Sequence, residues 1–313
     1  MTATTTALQL ALWDLQGSLY WRESPYGPYP SKGARGGDEG DGGDDCLWLG
    51  LLTSVGFAPA AVALRQSQGA PGEAKPGMFY RNPARRANDN AGFGHYFSRD
   101  MGMGVLCALG SRYWPNEVSQ PIGRAWQLWI EASRPCITKK PKWLGGGCAV
   151  RSPIYYLAPD DRSQVTPAFW ALMSRVWVEN NWPLGGPMRA NSGMDGDWSI
   201  IEAENCPIGY QLHLHGIESY LKLIMDQSRE YQEKMANICW QRSPDDRFYK
   251  VLKQKRGFQD DIDWLIEVIA GRPEVLSDNW LFGSSNFSDR LSTGDFCGWD
   301  LMFFGLLLDK LSR

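Results

Sequence analysis

Residues 94–110 read GHYFSRDMGMGVLCALG, and the way this stretch folds decides the architecture. Met101, Met103, Val105, Leu106, Ala108 and Leu109 fall on almost every side of a helix, so the segment predicts a core helix with little face left for water. The triplet Ser98-Arg99-Asp100 then stands at its mouth. Ser98 is the expected N-cap, and Asp100 lies in the first turn, where the helix dipole favours an acid. On a helical wheel Asp100 shares its face with Gly104 and Cys107, small residues that permit close approach, while Arg99 points about 100° away.

The same grammar recurs outward from this segment. Residues 47–57 are apolar nearly all round, a second helix is expected over 59–68, and GAPGEAKPG (69–77) closes a helical hairpin. After the core helix over 98–109 comes an amphipathic partner over 117–132, with Ile122, Trp126, Trp129 and Ile130 at helical spacing. Further helices are expected over 167–181, 208–225, 228–240, 245–254, 260–270 and 294–311, the last again apolar on most faces. Strand-like alternation is confined to MFYRNP (78–83) and AVRSPIYYL (149–157). Hairpins that join an all-apolar helix to an amphipathic one predict a mainly α fold of two layers, an inner set shielded by an outer set. Repeats of fixed period are absent, which favours a complete or partial (α/α) toroid over a regular solenoid. The stretch SPYGPYPSKGARGGDEGDGGDD (24–45) reads as a loop or flexible arm, so the expected organisation is an N-terminal helix and arm over 1–43 and a helical toroid domain over 44–313.

Composition narrows the partners. With 32 Lys and Arg against 35 Asp and Glu, the formal net charge of −3 gives no general attraction for nucleic acid or an acidic membrane. The N-terminus lacks the basic region of a secretion signal, and no run approaches the roughly 20 apolar residues of a membrane span, so a soluble protein made in the cytoplasm is expected. The seven cysteines form no C-x-x-C pair and are expected to be reduced and buried. Fifteen Trp with 12 Tyr and 12 Phe offer flat faces on which sugar rings stack, or else bulk to fill gaps between helices. No G-x-S-x-G elbow, phosphate loop or dinucleotide fingerprint is present, which speaks against serine-hydrolase and nucleotide chemistry.

Several side chains remain as candidates. Asp44 and Asp45 open the helix that follows the arm, as caps or as an acid, base or nucleophile. Asp100 is either a dipole-stabilised first-turn acid or a pocket carboxylate, with Arg99 as its brace or as the partner of an acidic substrate group. In HLHGIESYLKLIM (213–225) the helical period sends His213 inward and His215 to the polar side, so the two imidazoles diverge and do not form a metal pair. His213 is thus a core residue or, with His95 and Asp100 nearby, part of an acid–base site. No cofactor is called for. The acidic stretches holding Asp38, Asp41, Asp44 and Asp45, and Asp195 and Asp197 in NSGMDGDW (191–198), have the oxygen chemistry of calcium but not EF-hand spacing.

Three stretches, GDDCLWLGLL (43–52), FSRDMGMGVL (97–106) and GYQLHLHGIE (209–218), together resemble a set of uncharacterised phage and prophage proteins. More loosely they are similar to the six-hairpin (α/α) toroid glycosidases and polysaccharide lyases. RSPDDRFYKVL (242–252) and GWDLMFFGLLL (298–308) extend the likeness over most of 43–313, leaving 1–42 outside it. The resemblance implies a helical toroid acting on a polysaccharide or oligosaccharide by hydrolysis or elimination. Asp44, Asp45, Asp100 and His213 would then be the catalytic candidates, with Trp48, His95, Arg99, Tyr210, Asp195 and Asp197 lining the substrate. For elimination, His213 or Tyr210 would take the proton beside a uronate that Arg99 neutralises. The alternative it implies is a non-catalytic phage structural or receptor-binding protein that contacts other virion proteins or glycans.

Overall fold

The computed structural model describes residues 3–32, 45–89, 99–111, 113–133, 196–225, 229–272, 279, 281–282, 284 and 287–312. Among these residues it is mainly helical, with thirteen helices and one small sheet. The helices are α1 (Ala3–Ser18), α2 (Asp45–Ser54), α3 (Ala58–Gln66), α4 (Pro83–Ala87), α5 (Arg99–Gly110), α6 (Asn116–Ser133) and α7 (Gly196–Asn205). They continue as α8 (Tyr210–Ile224), α9 (Arg229–Arg242), α10 (Arg247–Gln254), α11 (Gln259–Gly271), α12 (Phe287–Thr293) and α13 (Trp299–Leu311). Strands β1 (Trp21–Arg22) and β2 (Tyr29–Pro30) pair antiparallel, Trp21 opposite Pro30.

The layering follows from which helices can face water. Every residue of α2 is buried, as are Met101–Gly110 of α5, most of α13 and the middle of α8. These four pack in the order α13, α2, α5, α8. Helix α3 covers α2, α6 covers α5, α7, α9 and α10 cover α8, and α1 and α11 cover α13. The outer helices turn one stripe inward: Ile122, Trp126, Trp129 and Ile130 of α6 are buried, while Leu128 is exposed. A Cβ placed on Gly50 would lie 2.0 Å from the Gly104 carbonyl oxygen, and one on Gly104 would lie 2.4 Å from that of Leu47. The two apolar helices therefore touch backbone to backbone, which only glycine permits.

Local signals set the outer helices. Asn82 caps α4 by accepting from the Arg85 N–H at 2.9 Å, and Asp246 caps α10 by accepting from the Phe248 N–H at 3.0 Å. Asp261 in the first turn of α11 accepts from Arg247 at 2.8 Å and Lys250 at 2.9 Å, tying α10 to α11.

The N-terminal segment shares the one core. Leu8, Leu12 and Leu15 of α1 are buried against α11 and α13. Residues 24–32, expected as loop or arm, are anchored: Tyr29 is buried, and the Trp299 indole N–H donates to the Tyr20 and Ser31 carbonyls at 3.3 and 3.2 Å. Turn residues supplied the expectation, but their backbone carbonyls satisfy a buried tryptophan. The stretch 78–83 contributes an isolated bridge, Gln68 to Phe79, in place of a strand. The helix expected from 294 begins only at Trp299, because Gly294, at a φ of 72° outside the helical range, follows the end of the unexpected short helix α12. The expected strand at 149–157 and helix at 167–181 lie outside the described residues. Cys46, Cys107, Cys206, Cys239 and Cys297 are free and buried, as expected. Among the described residues no helix is long and apolar enough to cross a membrane.

Candidate functional site

Acids stand at the starts of three inner helices: Asp45 in α2, Asp100 in α5 and Asp300 in α13. Asp45 is fully buried and accepts hydrogen bonds from the Ser31 hydroxyl at 3.0 and 3.1 Å, the Lys32 backbone N–H at 2.6 Å and the Asn82 amide at 3.0 Å. Burial nevertheless outweighs these donors and pushes its carboxyl up to about 7. Asp300 accepts from the Leu281 N–H at 2.8 Å, and burial holds its carboxyl well above the ordinary range. His213, in the first turn of α8, is also buried; desolvation, then the charge of Lys32, pulls its imidazole down to about 3 and keeps it neutral. Lys32 acts electrostatically on His213 and Asp300 alike, and the α10 cap Asp246 acts on Asp300. The half-buried Lys32 thus acts at the N-terminal ends of α8 and α13 through its charge and at that of α2 through its backbone N–H.

Helix α5 joins the same end through a different pair. The Tyr210 hydroxyl, on the first residue of α8, donates to Oδ2 of Asp100. Asp100 is half-buried and Tyr210 is 39% exposed, so this pair, unlike Asp45 and His213, meets solvent. Met103 and Leu214 lie about one turn further along the two helices. With Glu202, Gln211, His215 and Glu218 they line a cavity of about 40 Å³ between α5, α7 and α8. That is room for a water molecule or two. Glu218 accepts from the Tyr231 hydroxyl at 2.6 Å, and its other oxygen lies 3.8 Å from Nδ1 of His215. Burial works to raise the Glu218 carboxyl, but the neighbouring His215 imidazole, the Tyr231 hydrogen bond and the charge of Lys222 hold it below the ordinary range.

No protein-family model, curated protein or solved structure matches the chain.

The structure brings together Asp100 and Tyr210, and it buries Asp45 and His213 apart from that pair's solvent-facing end. Trp48 is buried in α2. Asp44, His95 and Asp195 lie outside the described residues; Arg99 and Asp197 fall within α5 and α7, but their side chains lie outside the description. His215 corrects the wheel, which sent it to the polar, outward side: it is buried because α7 and α9 cover that side of α8, so the polar stripe faces neighbouring helices. Among the described residues no group of three or more His, Cys, Asp or Glu is placed to hold a metal ion.

Sequence reasoning missed Lys32, Glu218, Tyr231 and Asp300. Asp300 carried a readable signal, since GWDLMFF repeats the pattern of DDCLWL and SRDMGM, an acid at the mouth of an apolar helix. Glu218 and Tyr231 carried none, because only the docking of α9 onto α8 brings them together.

Proposed function

We propose that the protein is a glycan-active enzyme whose inner helices curve into a complete or partial (α/α) toroid, with its reacting groups at the end where their N-termini gather. The observation that carries this reading is the hydrogen bond from the Tyr210 hydroxyl to the Asp100 carboxylate at a solvent-facing helix end. A phenol and a carboxylate that share a proton can pass it to or from a bound sugar. Asp45 and His213, buried as they are, hold the end of the helices together rather than touch substrate. In elimination, Asp100 takes the phenolic proton as the Tyr210 oxygen removes the proton beside a uronate carboxylate, the C4–O bond breaks, and Tyr210 passes the captured proton to the departing oxygen. In hydrolysis, the Asp100 carboxylate takes a proton from the attacking water as the glycosidic C–O bond breaks, the Tyr210 hydroxyl gives its own proton to the departing oxygen, and Asp100 then returns a proton to the phenolate.

The test is incubation with a panel of capsular and cell-wall polysaccharides, reading both new reducing ends and the absorbance of unsaturated uronates. Reducing ends alone support hydrolysis, and both signals together support elimination. Asp100→Asn and Tyr210→Phe are expected to lower turnover by about 10²- to 10⁴-fold. Neither product from any glycan overturns the catalytic reading in favour of a non-catalytic phage structural or receptor-binding protein.

A further inference from the structure

A second concavity lies on other elements. The last turns of α1, strand β1 and the end of α11 enclose an open groove of about 590 Å³, within the size range of small-ligand sites. Its walls are two indoles. Trp21 is fixed, packing against Phe57 and Trp299 at centroid distances of 6.4 and 5.6 Å. Trp13 stands out from α1 with 76% of its surface exposed, so its ring face is open to a ligand from the groove. Between them Gly17 leaves the floor open, since a Cβ there would meet nothing within 4 Å.

The polar groups are set by Arg272. Its guanidinium donates to the Ile269 carbonyl and, at 2.8 Å, to the Ser18 hydroxyl, and lies 3.4 Å from the Asp14 carboxylate. These bonds tie the guanidinium to both helices, with 14% of the side chain exposed, whereas Asp14 is 72% exposed. The two charges offset each other, so the groove carries no net charge to select an ion. It offers a flat apolar face beside a fixed donor and an open acceptor. A pyranose ring has the matching chemistry, with C–H groups on its faces and hydroxyls at its edge.

We propose that this groove is a binding subsite for a neutral oligosaccharide, with the Trp13 indole as its stacking platform and Asp14 and Arg272 meeting its hydroxyls. The choice of a sugar rests on the glycan reading above, but the site does not share a residue with Asp100 and Tyr210.

The test measures binding of neutral gluco-, xylo- and chito-oligosaccharides to the full chain by calorimetry and tryptophan fluorescence, with turnover followed separately. Trp13→Ala is expected to weaken binding about tenfold. Gly17→Leu, which fills the groove at an exposed helix position without touching the core, is expected to do the same. Val62→Ser, on an exposed site of α3 away from the groove, is the control that binds as wild type. Absence of binding in the wild type, or binding that neither groove variant changes, overturns the subsite. Product formation without Trp13-dependent binding overturns it while leaving the catalytic reading standing. Trp13-dependent binding without any product supports the subsite, and the catalytic reading then stands or falls on the polysaccharide panel alone.

Discussion

A buried carboxyl that titrates near neutrality makes Asp45 a reporter of the fold. Between its ordinary value of 3.8 and its native value of about 7, the folded chain keeps a proton that the unfolded chain releases. Stability contributed by Asp45 therefore falls as the pH rises through that window. His213 runs the other way: its native value near 3 lies below its ordinary 6.5, so the unfolded chain takes up the proton and stability falls as the pH drops. The opposed slopes offset each other where the windows overlap, and substitution separates them. Asp45→Asn is expected to cost about 1–3 kcal/mol at pH 5, and the deficit should shrink by pH 7.5 because only the wild type loses stability on that climb. For His213→Gln the deficit should be largest near pH 7 and shrink toward pH 4. Urea unfolding across this pH range measures both, and deficits that stay constant with pH would refute the assignment.

At the scale of elements, the contact of α2 with α5 has the least slack. Gly50→Ala or Gly104→Ala forces a methyl into the facing backbone and is expected to cost about 3 kcal/mol, read from the shift in the denaturation midpoint. The sequence made such helices legible: all-apolar runs announced α2, α5 and α13, and the spacing of Ile122, Trp126, Trp129 and Ile130 announced α6 and its buried face. Asp100 and Tyr210 were legible as candidates, because an acid entering an apolar helix and a tyrosine opening another are local features. Their partnership was not, nor was the burial of His215. Both depend on which helices dock beside α8, and the period of one helix says nothing of its neighbours. The anchoring of 24–32 was hidden for a related reason, since turn residues reveal a change of direction but not the use to which their carbonyls are put.

Across the whole molecule, the first helix and the last complete one another. Leu12 of α1 packs so closely on α13 that a Cβ on Gly305 would lie 2.5 Å from its Cδ2. Ser31 and Lys32 meanwhile supply donors to Asp45. Deleting residues 1–32 is therefore expected to remove a wall of the core together with the partners of a buried acid. The truncated chain should show weakened near-ultraviolet circular dichroism and rapid cleavage by protease at a concentration that spares the full chain; a truncation as resistant as the parent would show that the wall is dispensable. The same contact also sets an order in time. At a synthesis rate of about 5–20 residues per second, roughly 280 residues separate the emergence of α1 from that of α13, so the leucine face of α1 waits on the order of 15–60 s for its partner. A nascent chain must shelter the apolar side of this helix until α13 arrives, and this wall of the core closes only then.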